Sequence, residues 1–430
     1  MPQTPTPGSS KPAAEVCKVV LVGFGTVGSS VARILVERAN TYLRLTHIYN
    51  RNVARKKVDW LPPDVVWTEN IDDVLSSDAD IVVEVMGGLQ PTEDWVRRAL
   101  TSGKSVVTAN KQLIAHCGPE LIALAQQKRQ QIEFGASVAG GVPVISGVHE
   151  GLAGDELFKI CGILNGTCNY ILSQIEANGV PFATALREAQ KLGFAEADPT
   201  DDIDGLDARA KITILARVGL HCNVAASSIV ARTISPIDSV DFEYANQLGY
   251  TIRQISQAEL KDGVLYASVG PALVEVNSPL ARVEGSQNLV MATGVYGGET
   301  VFGGHGAGGH PTAVAVVSDI LAIARAKRSG DGTAGQLAEK SATVSSDFTT
   351  KHYLRFVVRD RPGIIASLAT ILDKHNINID SVLQKPGCPK SHLPFLITLE
   401  DYKASLVEQA IEQINALDFM VQPCLHMPIL

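Results

Sequence analysis

Six acidic side chains and a single lysine lie within residues 193–211, whose sequence is GFAEADPTDDIDGLDARAK. The segment leads directly into ITILARVGL, an apolar run of the kind that folded proteins bury. A solvated loop would explain the acids alone. A binding site at the mouth of a buried helix explains the acids and the apolar run together.

A helical pattern covers residues 205–220 and places Asp207 and Lys211 on one face, one turn apart. On spacing alone, the pair fits an exposed ion pair with a worth of roughly 0.3–0.5 kcal/mol. The chemical alternative is proton transfer, because hydride removal from an alcohol requires loss of the hydroxyl proton, and a charged lysine can return it in the reverse direction. Lys111, in the stretch TANK, is the candidate for a second positively charged side chain near Lys211.

The stretch VVLVGFGTVGSSVARIL combines a buried type of strand, a glycine-rich turn and the start of a helix. Gly23 allows the tight bend, Gly25 lets the backbone approach a pyrophosphate, and Gly28 lets the helix pack on the strand. The helix N-terminus adds a partial positive charge that faces the phosphates. The candidate dinucleotide contacts in this turn are Gly23, Phe24, Gly25, Thr26, Val27 and Gly28.

Basic residues follow the second strand, which ends in IYNRNVARKK. A site that prefers NAD has Asp or Glu here to bind the ribose 2′-hydroxyl, whereas this chain has Arg51 and, further on, Lys57. A guanidinium suits a 2′-phosphate, so the sequence favours NADP(H) and leaves NAD(H) open. Thr108 and Lys111 follow a later strand, at the carboxyl edge where open α/β sheets bind ligands.

The order of strand and helix patterns predicts an α/β protein with three folded parts. We expect a flexible lead-in (1–15), a Rossmann-type doubly wound parallel sheet (16–151) with a returning helix (304–328), an α+β substrate and dimerisation domain (152–303), a linker (329–349) and a ferredoxin-like βαββαβ domain (350–430).

The composition excludes several classes of protein. A net charge of −8 over 430 residues argues against a nucleic-acid partner. No apolar stretch reaches the roughly 20 residues of a membrane span. Seven scattered cysteines predict reduced thiols and a cytoplasmic location, and neither they nor the ten histidines have transition-metal spacing.

Seven segments, in the same order, resemble the homoserine dehydrogenase family: VGFGTVGSSV, EVMGG, VVTANKQLIA, ASVAGGVPV, GILNGTCNYIL, GFAEADPTDDIDGLDARAKITILA and GAGGHPTAVAVVSD. The resemblance covers about residues 16–327, and the acidic segment is its most specific part. It implies oxidation of L-homoserine to L-aspartate 4-semialdehyde with NAD(P)+, and the reverse reaction in threonine and methionine biosynthesis. Composition and spacing alone lead only to a nucleotide-dependent enzyme.

The resemblance also implies roles for individual residues. Lys211 would be the proton donor, with Asp207 and Lys111 close to the reacting carbon. Glu196, together with Asp202, would bind the 2-ammonium group of homoserine.

Two further loop positions are candidate site residues. Thr167, in LNGTCNY, either caps the next helix or lies where backbone amides meet the substrate carboxylate. Gly306, in GGHGAGG, would return to the nicotinamide ring, although His305 stands where the family usually has proline.

The family can also bind a monovalent cation, Na+, through backbone carbonyls and a glutamate. The carbonyls of Val138, Gly140 and Val142 are the candidate ligands here. Gly135 stands in place of the glutamate, and the nearest acid, Glu133, is two residues earlier. In an extended segment that offset would keep the carboxylate on the same face.

The last 80 residues resemble an ACT domain, the small ligand-binding module of amino-acid biosynthesis. Asp360, Pro362 and Gly363 lie in the loop before its first helix, whose amides could bind the carboxylate of an amino acid such as L-threonine. The alternative is a dimerising module without a ligand. Such modules pair edge to edge, so we expect a homodimer or a homotetramer.

Two other functions compete with this interpretation. An enzyme like aspartate-semialdehyde dehydrogenase would need a cysteine nucleophile with a histidine partner; Cys168 is suggestively placed, but no histidine is near it in sequence. A non-catalytic sensor of NADP(H) and amino acids would bind cofactor without turnover. The set of Lys111, Glu196, Asp207 and Lys211 argues against the sensor.

Overall fold

The computed structural model describes residues 16–38, 42–329 and 342–430. They form two compact units. The first unit contains the described residues up to Leu113, Cys117–Phe134 and the described residues from Ala313 onward to 329. The second contains Ile114–His116, Gly135–Thr312 and the described residues of the C-terminal part. The expected lead-in (1–15) and residues 330–341 of the expected linker lie outside the described residues.

The first unit is built on a six-stranded sheet with the order β3-β2-β1-β4-β5-β6, in which every pair is parallel. The strands are β1 (Cys17–Val22), β2 (Leu43–Tyr49), β3 (Val66–Thr68), β4 (Ile81–Glu84), β5 (Ser105–Thr108) and β6 (Ile132–Glu133). The helices between them are α1 (Thr26–Glu37), α2 (Val53–Lys56), α3 (Ile71–Leu75), α4 (Thr92–Thr101) and α5 (Lys111–Gln127).

The sequence of this sheet explains its form. Strands β4 and β5 are buried along their whole length, as are all but one residue of β1. Parallel strands covered on both faces read as continuous apolar runs, which is the pattern here. The prediction of a doubly wound parallel sheet is therefore confirmed.

The second unit is built on an 11-stranded sheet. Nine strands follow the order β12-β11-β7-β9-β10-β17-β14-β16-β15, while β8 and β13 pair with β10. The strands are β7 (Leu157–Ile163), β8 (Val230–Ala231), β9 (Tyr250–Lys261), β10 (Val264–Glu275), β11 (Gln287–Gly294), β12 (Gly298–His305), β13 (Thr343–Ser345), β14 (Thr349–Val358), β15 (Ile379–Gln384), β16 (Leu393–Lys403) and β17 (Leu425–Ile429).

Helices cover this sheet and carry the polar segments of interest. They are α6 (Val144–Ser146), α7 (Gly166–Asn178), α8 (Phe182–Lys191), α9 (Thr200–Ile203), α10 (Leu206–Leu220), α11 (Ser239–Gln247), α13 (Ile364–Lys374) and α14 (Ala404–Asn415). Helix α12 (Gly309–Ser329) belongs to the first unit from Ala313 onward. Helix α10 is the apolar run that follows the acidic segment, and it is buried from Ile212 to Leu220. The expectation that this run is buried is confirmed.

Two domain boundaries differ from those expected. Residues 135–151, expected in the first domain, belong to the second unit. Within the expected linker (329–349), β13 forms a strand parallel to β10, and Thr349 already begins β14. Strand pairing over only three residues gives little periodic signal, so composition suggested a linker at this place.

The C-terminal βαββαβ domain shares its core with the rest of the second unit. One face of its sheet packs on α13 and α14. On the other face, Tyr353, Leu396 and Met427 join a cluster with Cys168 of α7 and Phe242 of α11. Strand β17 also continues the larger sheet, because Ile429 pairs with Leu273 of β10. This domain is therefore packed into the second unit rather than tethered to it.

Two histidines form a hydrogen-bonded pair within this domain. Nδ1 of His352 lies 2.9 Å from Nε2 of His426, and Nε2 of His352 lies 2.9 Å from the carbonyl oxygen of Tyr402. Because a carbonyl only accepts, His352 carries its proton on Nε2, and His426 donates to it. Burial lowers the pKa of His352, and burial together with His352 lowers the pKa of His426 to about 3.

The histidine pair predicts a loss of stability in mild acid. An unfolded histidine titrates near a pKa of about 6.5, so below that pH the unfolded chain binds more protons than the folded chain. Folding stability is therefore full above about pH 6.5 and falls as the pH drops toward 5. We expect His426→Gln, which keeps a donor for His352, to reduce the difference between unfolding temperatures at pH 7 and pH 5. The exposed His392→Gln is the control; an unchanged pH dependence in His426→Gln would contradict this origin.

Candidate active site

The glycine turn after β1 needs its glycines for steric reasons. Gly23 has φ +108°, and a Cβ there would lie 2.8 Å from Cγ of Met86. A Cβ on Gly28 would lie 2.2 Å from the carbonyl oxygen of Gly23. In contrast, a Cβ on Gly25 would meet nothing within 4 Å. Helix α1 begins at Thr26 without a side-chain cap, so its first amides face an open approach suited to a phosphate.

The other expected cofactor residues lie in the same unit. The side chain of Phe24 is buried and packs edge-on against Trp67, with ring centroids 4.8 Å apart, so only its backbone remains for a ligand. Arg51 and Lys57 are exposed on either side of the short helix α2, which Asn52 caps. They lie just after β2, the strand next to β1.

A buried carboxylate that the sequence analysis did not identify organises the carboxyl ends of β4 and β5. Glu84 accepts hydrogen bonds from the amides of Met86 and Gly87 at 2.7 and 3.0 Å and from the hydroxyl of Thr108 at 2.6 Å. Burial raises the pKa of Glu84, whereas these bonds lower it. Asn110, the cap of α5, donates to the carbonyl of Gly88 at 2.6 Å and so ties the start of α5 to the β4 loop.

Lys111 is the first residue of α5, directly after this network. Thr108 is fully buried, and its hydroxyl also accepts the amide of Asn110 at 3.0 Å. The structure therefore brings Thr108 and Lys111 to the carboxyl edge of the sheet, as expected. The signal that could have revealed Glu84 was a single acid ending an otherwise apolar strand.

The acidic segment delivers two of its carboxylates to one buried cluster in the second unit. Asp207 and Lys211 form an ion pair of 2.7 Å, with side chains only 5% and 13% exposed. Asn165 donates from Nδ2 to Asp207 at 2.8 Å and to Asp202 at 2.6 Å. The interpretation of Asp207 and Lys211 as an ordinary exposed pair is therefore wrong, because α10 lies in the core and the pair sits at its buried start.

The ammonium group of Lys211 is held at a fixed position. It donates to Asp207 and, at 2.8 Å, to the carbonyl oxygen of Leu164 at the end of β7. A lysine ammonium has three donors, and among the described residues these two are its partners. The third donor is therefore left for a ligand oxygen.

Asn165 is the second residue that the sequence analysis missed. It is buried, caps α7 through Oδ1 by accepting the amide of Cys168 at 2.8 Å, and bridges two carboxylates through Nδ2. Its signal in the sequence is an Asn-Gly pair directly before a helical pattern. The capping function suggested for Thr167 is wrong: Asn165 is the cap, and Thr167 instead donates to the carbonyl of Phe194 at 2.7 Å.

Glu196 is not part of this cluster. Its carboxylate is exposed, and Gln190 holds the backbone there by donating to the carbonyl of Glu196 at 3.1 Å. Thr167 fixes the same loop at Phe194, two residues earlier. The loop therefore carries Glu196 on an anchored backbone, while Asp202 is anchored in the cluster itself. Asp198 lies in the same loop and accepts the amide of Thr200 at 3.2 Å.

The buried thiol of Cys168 is unsuited to nucleophilic catalysis. Burial, with Asp202 and Asp207 nearby, raises the pKa of Cys168 well above its ordinary value, so the thiolate is scarce. The thiol instead donates to the carbonyl of Asp202 at 3.0 Å. This environment removes the basis for an enzyme like aspartate-semialdehyde dehydrogenase.

Gly306 lies at a closely packed point of the loop after β12. A Cβ there would lie 1.6 Å from Oδ1 of the buried Asn288. A Cβ on Gly140 would lie 2.5 Å from the carbonyl oxygen of Gly306. Because both residues must lack a side chain, residues 138–142 and the Gly306 loop hold each other in place.

The expected cation ligands do not fit a site that includes a carboxylate. Gly135 begins a 3-10 turn after β6, so strand alternation does not place Glu133 on its face. The carbonyl of Val142 accepts the amide of Val144 at 2.8 Å. In the described ranges, no group of three or more His, Cys, Asp or Glu side chains is placed to hold a metal ion. Only the neutral carbonyls of Val138, Gly140 and Val142 remain, and no catalytic step is assigned to a cation.

The expected regulatory loop lies at the start of α13. Asp360, Pro362 and Gly363 are exposed, and Gly363 has φ +89° and leaves α13 without a side-chain cap. The amide of Asp360 donates to the carbonyl of Lys390 at 2.7 Å. The three residues are therefore adjacent and open to solvent at a helix N-terminus.

A doubly wound nucleotide-binding sheet, joined in one chain to a buried lysine–aspartate pair that can move a proton, defines a nicotinamide-dependent oxidoreductase. None of the helices in residues 16–38, 42–329 and 342–430 has the length and apolar character needed to span a bilayer.

Comparison with known proteins identifies the family. Residues 23–135 match the NAD-binding domain of homoserine dehydrogenase, residues 143–321 match the homoserine dehydrogenase domain, and residues 352–419 match the ACT domain. The chain is 38% identical to the homoserine dehydrogenase of Bacillus subtilis, over 86% of this chain and 88% of that protein. It therefore belongs to the homoserine dehydrogenase family, oxidoreductases of amino-acid biosynthesis.

Solved structures agree with this assignment. A homoserine dehydrogenase from Thiobacillus denitrificans has a TM-score of 0.90 and 33% identity, covering 97% of this chain and 99% of its own. A hyperthermophilic archaeal homoserine dehydrogenase in complex with NADPH has a TM-score of 0.62 and 27% identity, covering 71% of this chain and 97% of its own. The rival functions, an aspartate-semialdehyde dehydrogenase-like enzyme and a sensor, are not favoured.

The bridge formed by Asn165 predicts a loss of activity in its variants. Asn165→Asp keeps an oxygen for the cap but puts a third carboxylate beside Asp202 and Asp207, and Asn165→Ala loses both the cap and the bridge. We expect both variants to lower homoserine turnover by about 10- to 100-fold because the lysine loses its position. Both variants should lower the unfolding temperature, Asn165→Asp through repulsion among three carboxylates and Asn165→Ala through loss of the cap, which is worth about 1 kcal/mol.

The matched control is Asn178→Ala, which removes an exposed asparagine from the same helix α7. Steady-state rates, unfolding temperatures and NADPH binding would be measured for all three variants. Wild-type turnover in Asn165→Asp would show that the bridge does not position the lysine.

Proposed function

We propose that Lys211 transfers the proton in the interconversion of L-homoserine and L-aspartate 4-semialdehyde. The observation that carries this assignment is its ammonium group, held by Asp207 and the carbonyl of Leu164 with one donor left for a ligand. In the reductive direction, that donor protonates the developing alkoxide. Asp207 keeps the Lys211 side chain aimed, and in the oxidative direction the Lys211 amine receives the proton from the substrate hydroxyl.

The substrate's charged groups find complementary partners in the same unit. We assign its 2-ammonium group to Asp202, which lies in the cluster, and to Glu196 on the anchored loop. The amides at the start of α7, around Thr167, suit its carboxylate, because a helix N-terminus attracts anions. Lys111 at the start of α5 is assigned a place close to the reacting carbon.

The nicotinamide cofactor supplies or accepts the hydride. Its pyrophosphate would be held by the glycine turn, whose open position at Gly25 and uncapped α1 suit a phosphate. Arg51 and Lys57 support a preference for NADP(H) over NAD(H), since a 2′-phosphate needs cations. The archaeal relative's complex with NADPH is consistent with this preference. Thr108 and Gly306 complete the assigned cofactor contacts, and Na+ is given no part in the reaction.

We further propose that the ACT domain makes the enzyme responsive to an amino acid, with L-threonine as the candidate ligand. Asp360, Pro362 and Gly363 would form the binding loop, because the uncapped start of α13 suits a carboxylate. The functional domains that we propose are 16–151 with 304–328 for the cofactor, 152–303 for the substrate and 350–430 for regulation; these bounds divide the chain by function and differ from the compact units at residues 135–151.

A homo-oligomer is proposed on the basis of two exposed features. Strand β15 pairs on one side only within the described residues, and Val382 on it is 44% exposed, so an edge-to-edge contact between ACT domains would use β15. At the other end of the 11-stranded sheet, Val301 on β12 is 44% exposed and lies opposite Met291 on β11. An apolar face is therefore available there for a second copy of the chain. The seven free thiols suit a reducing compartment, so a cytoplasmic location stays our prediction.

The assignment predicts a selective loss of chemistry. Lys211→Met removes the proton donor and keeps the length of the side chain, so turnover of homoserine should fall by about 100-fold or more. The dissociation constant for NADPH should stay close to the wild-type value. Initial rates with NADP+ and with NAD+, with and without threonine, and NADPH fluorescence titrations would measure both effects.

Lys191→Met provides the control, because Lys191 is an exposed lysine in the last turn of α8. An unimpaired rate in Lys211→Met would refute the assigned proton donor. A wild-type protein that binds NADPH but does not turn over homoserine would instead refute the function itself.

A further inference from the structure

A buried charge cluster joins the ACT domain to helix α11. Asp241 and Arg355 form an ion pair of 2.7 Å with side chains 0% and 5% exposed. The hydroxyl of Tyr353, on the same ACT strand β14, donates to the same oxygen of Asp241 at 2.7 Å. Asp241 also accepts the amide of Asp238 at 2.9 Å and so completes the capping box of α11. The cluster lies outside the active site and has no part in the reaction described above.

The same arginine extends toward the substrate site. Nη2 of Arg355 donates to the carbonyl oxygen of Pro236 at 2.8 Å. Pro236 lies in the short connection that precedes α11. Within that connection, the amide of Ile234 donates to the carbonyl of Ile203 at 3.1 Å, and Ile203 is the last residue of α9. One guanidinium therefore reaches the segment that is hydrogen-bonded to the end of the acidic loop.

The acidic loop continues this connection into the catalytic cluster. Asp202 is the neighbour of Ile203 in α9, and its carboxylate accepts from Asn165, which also binds Asp207. Apolar packing runs in parallel, since Ile203, Ile234 and Ile237 are buried in one cluster with Tyr353 of the ACT domain. Hydrogen bonds and packing therefore connect Arg355 to Asp202 through a short, continuous set of contacts.

We infer that Arg355 of the ACT domain is a positioning residue for the homoserine site. Through Pro236 and Ile234 it fixes α9 and hence the Asp202 carboxylate that receives the substrate's ammonium group. The inference rests on the proposed function for its substrate, and it adds that the ACT domain holds the active site in place even without an effector.

The test uses a variant pair that avoids an unpaired buried charge. Removing Arg355 alone would leave the buried carboxylate of Asp241 without its counter-charge and would destabilise the fold. The double variant Arg355→Met with Asp241→Asn removes both charges and keeps an oxygen for Tyr353. The matched control is Lys385→Met, which breaks an exposed ion pair between Glu243 of α11 and the end of β15. The ion pair that this control removes joins the same helix to the same domain but does not involve Pro236.

Two readouts separate positioning from general support. Because Asp241→Asn also removes the acceptor of the Asp238 amide, amide hydrogen exchange is measured in residues 200–206 and 232–236 of the full chain. It should become about tenfold faster in the double variant, within the usual range of coupling between sites. The KM for homoserine should rise by a similar factor while the KM for NADP+ stays unchanged. Lys385→Met should match the wild type in both measurements.

Two outcomes would overturn the inference. One is a double variant with wild-type circular dichroism and NADPH binding whose exchange rates and homoserine KM are unchanged. The other is a Lys385→Met variant that shows the same changes as the double variant. The exchange experiment needs no substrate, so it decides the positioning role even if homoserine were not turned over by the wild type.

Discussion

Two carboxylates and one ammonium group share a buried space at the start of α10, and the amide of Asn165 makes that arrangement stable. Buried like charges repel unless donors satisfy them, and removing one partner leaves an uncompensated charge. Here Asn165 donates to Asp202 and Asp207, while Lys211 donates to Asp207. The consequence is chemical as well as structural, because a lysine held on two sides can be aimed at one substrate atom.

The rest of the second unit serves to keep this cluster in place. Helix α10 is anchored in the core, so its first turn stays close to the end of β7. There the carbonyl oxygen of Leu164 accepts a hydrogen bond from Lys211. Helix α9 is held at Ile203 by the connection to α11. The sheet that runs from β10 into β17 makes the ACT domain part of the same scaffold. The ACT domain and the cluster of Asp202, Asp207 and Lys211 therefore share one continuous core.

The features that local sequence patterns predicted correctly depend on residues that are close together in the sequence. The glycine turn, the individual strands and helices of the first unit and the pairing of Asp207 with Lys211 each depend on residues within a few positions of each other. Asn165 and Asp207 are hydrogen-bonded although 42 residues separate them, and no spacing rule connects them. The roles of Glu84, the strand β13 and the Arg355 contact with Pro236 likewise depend on contacts between distant segments. Thr167 was assigned a capping alternative because its type and position fitted that role, but Asn165 two residues earlier fitted it equally well.

The central claim is that Lys211 exchanges a proton with the reacting oxygen of the substrate, giving it to the developing alkoxide in reduction and taking it from the hydroxyl in oxidation. A crystal structure of the complex with NADP+ and L-homoserine measures this directly. The account predicts that Nζ of Lys211 keeps its contact with Asp207 and lies about 3 Å from the hydroxyl oxygen. A complex in which that nitrogen points to bulk solvent, or lies beyond hydrogen-bond reach of the ligand, would contradict it.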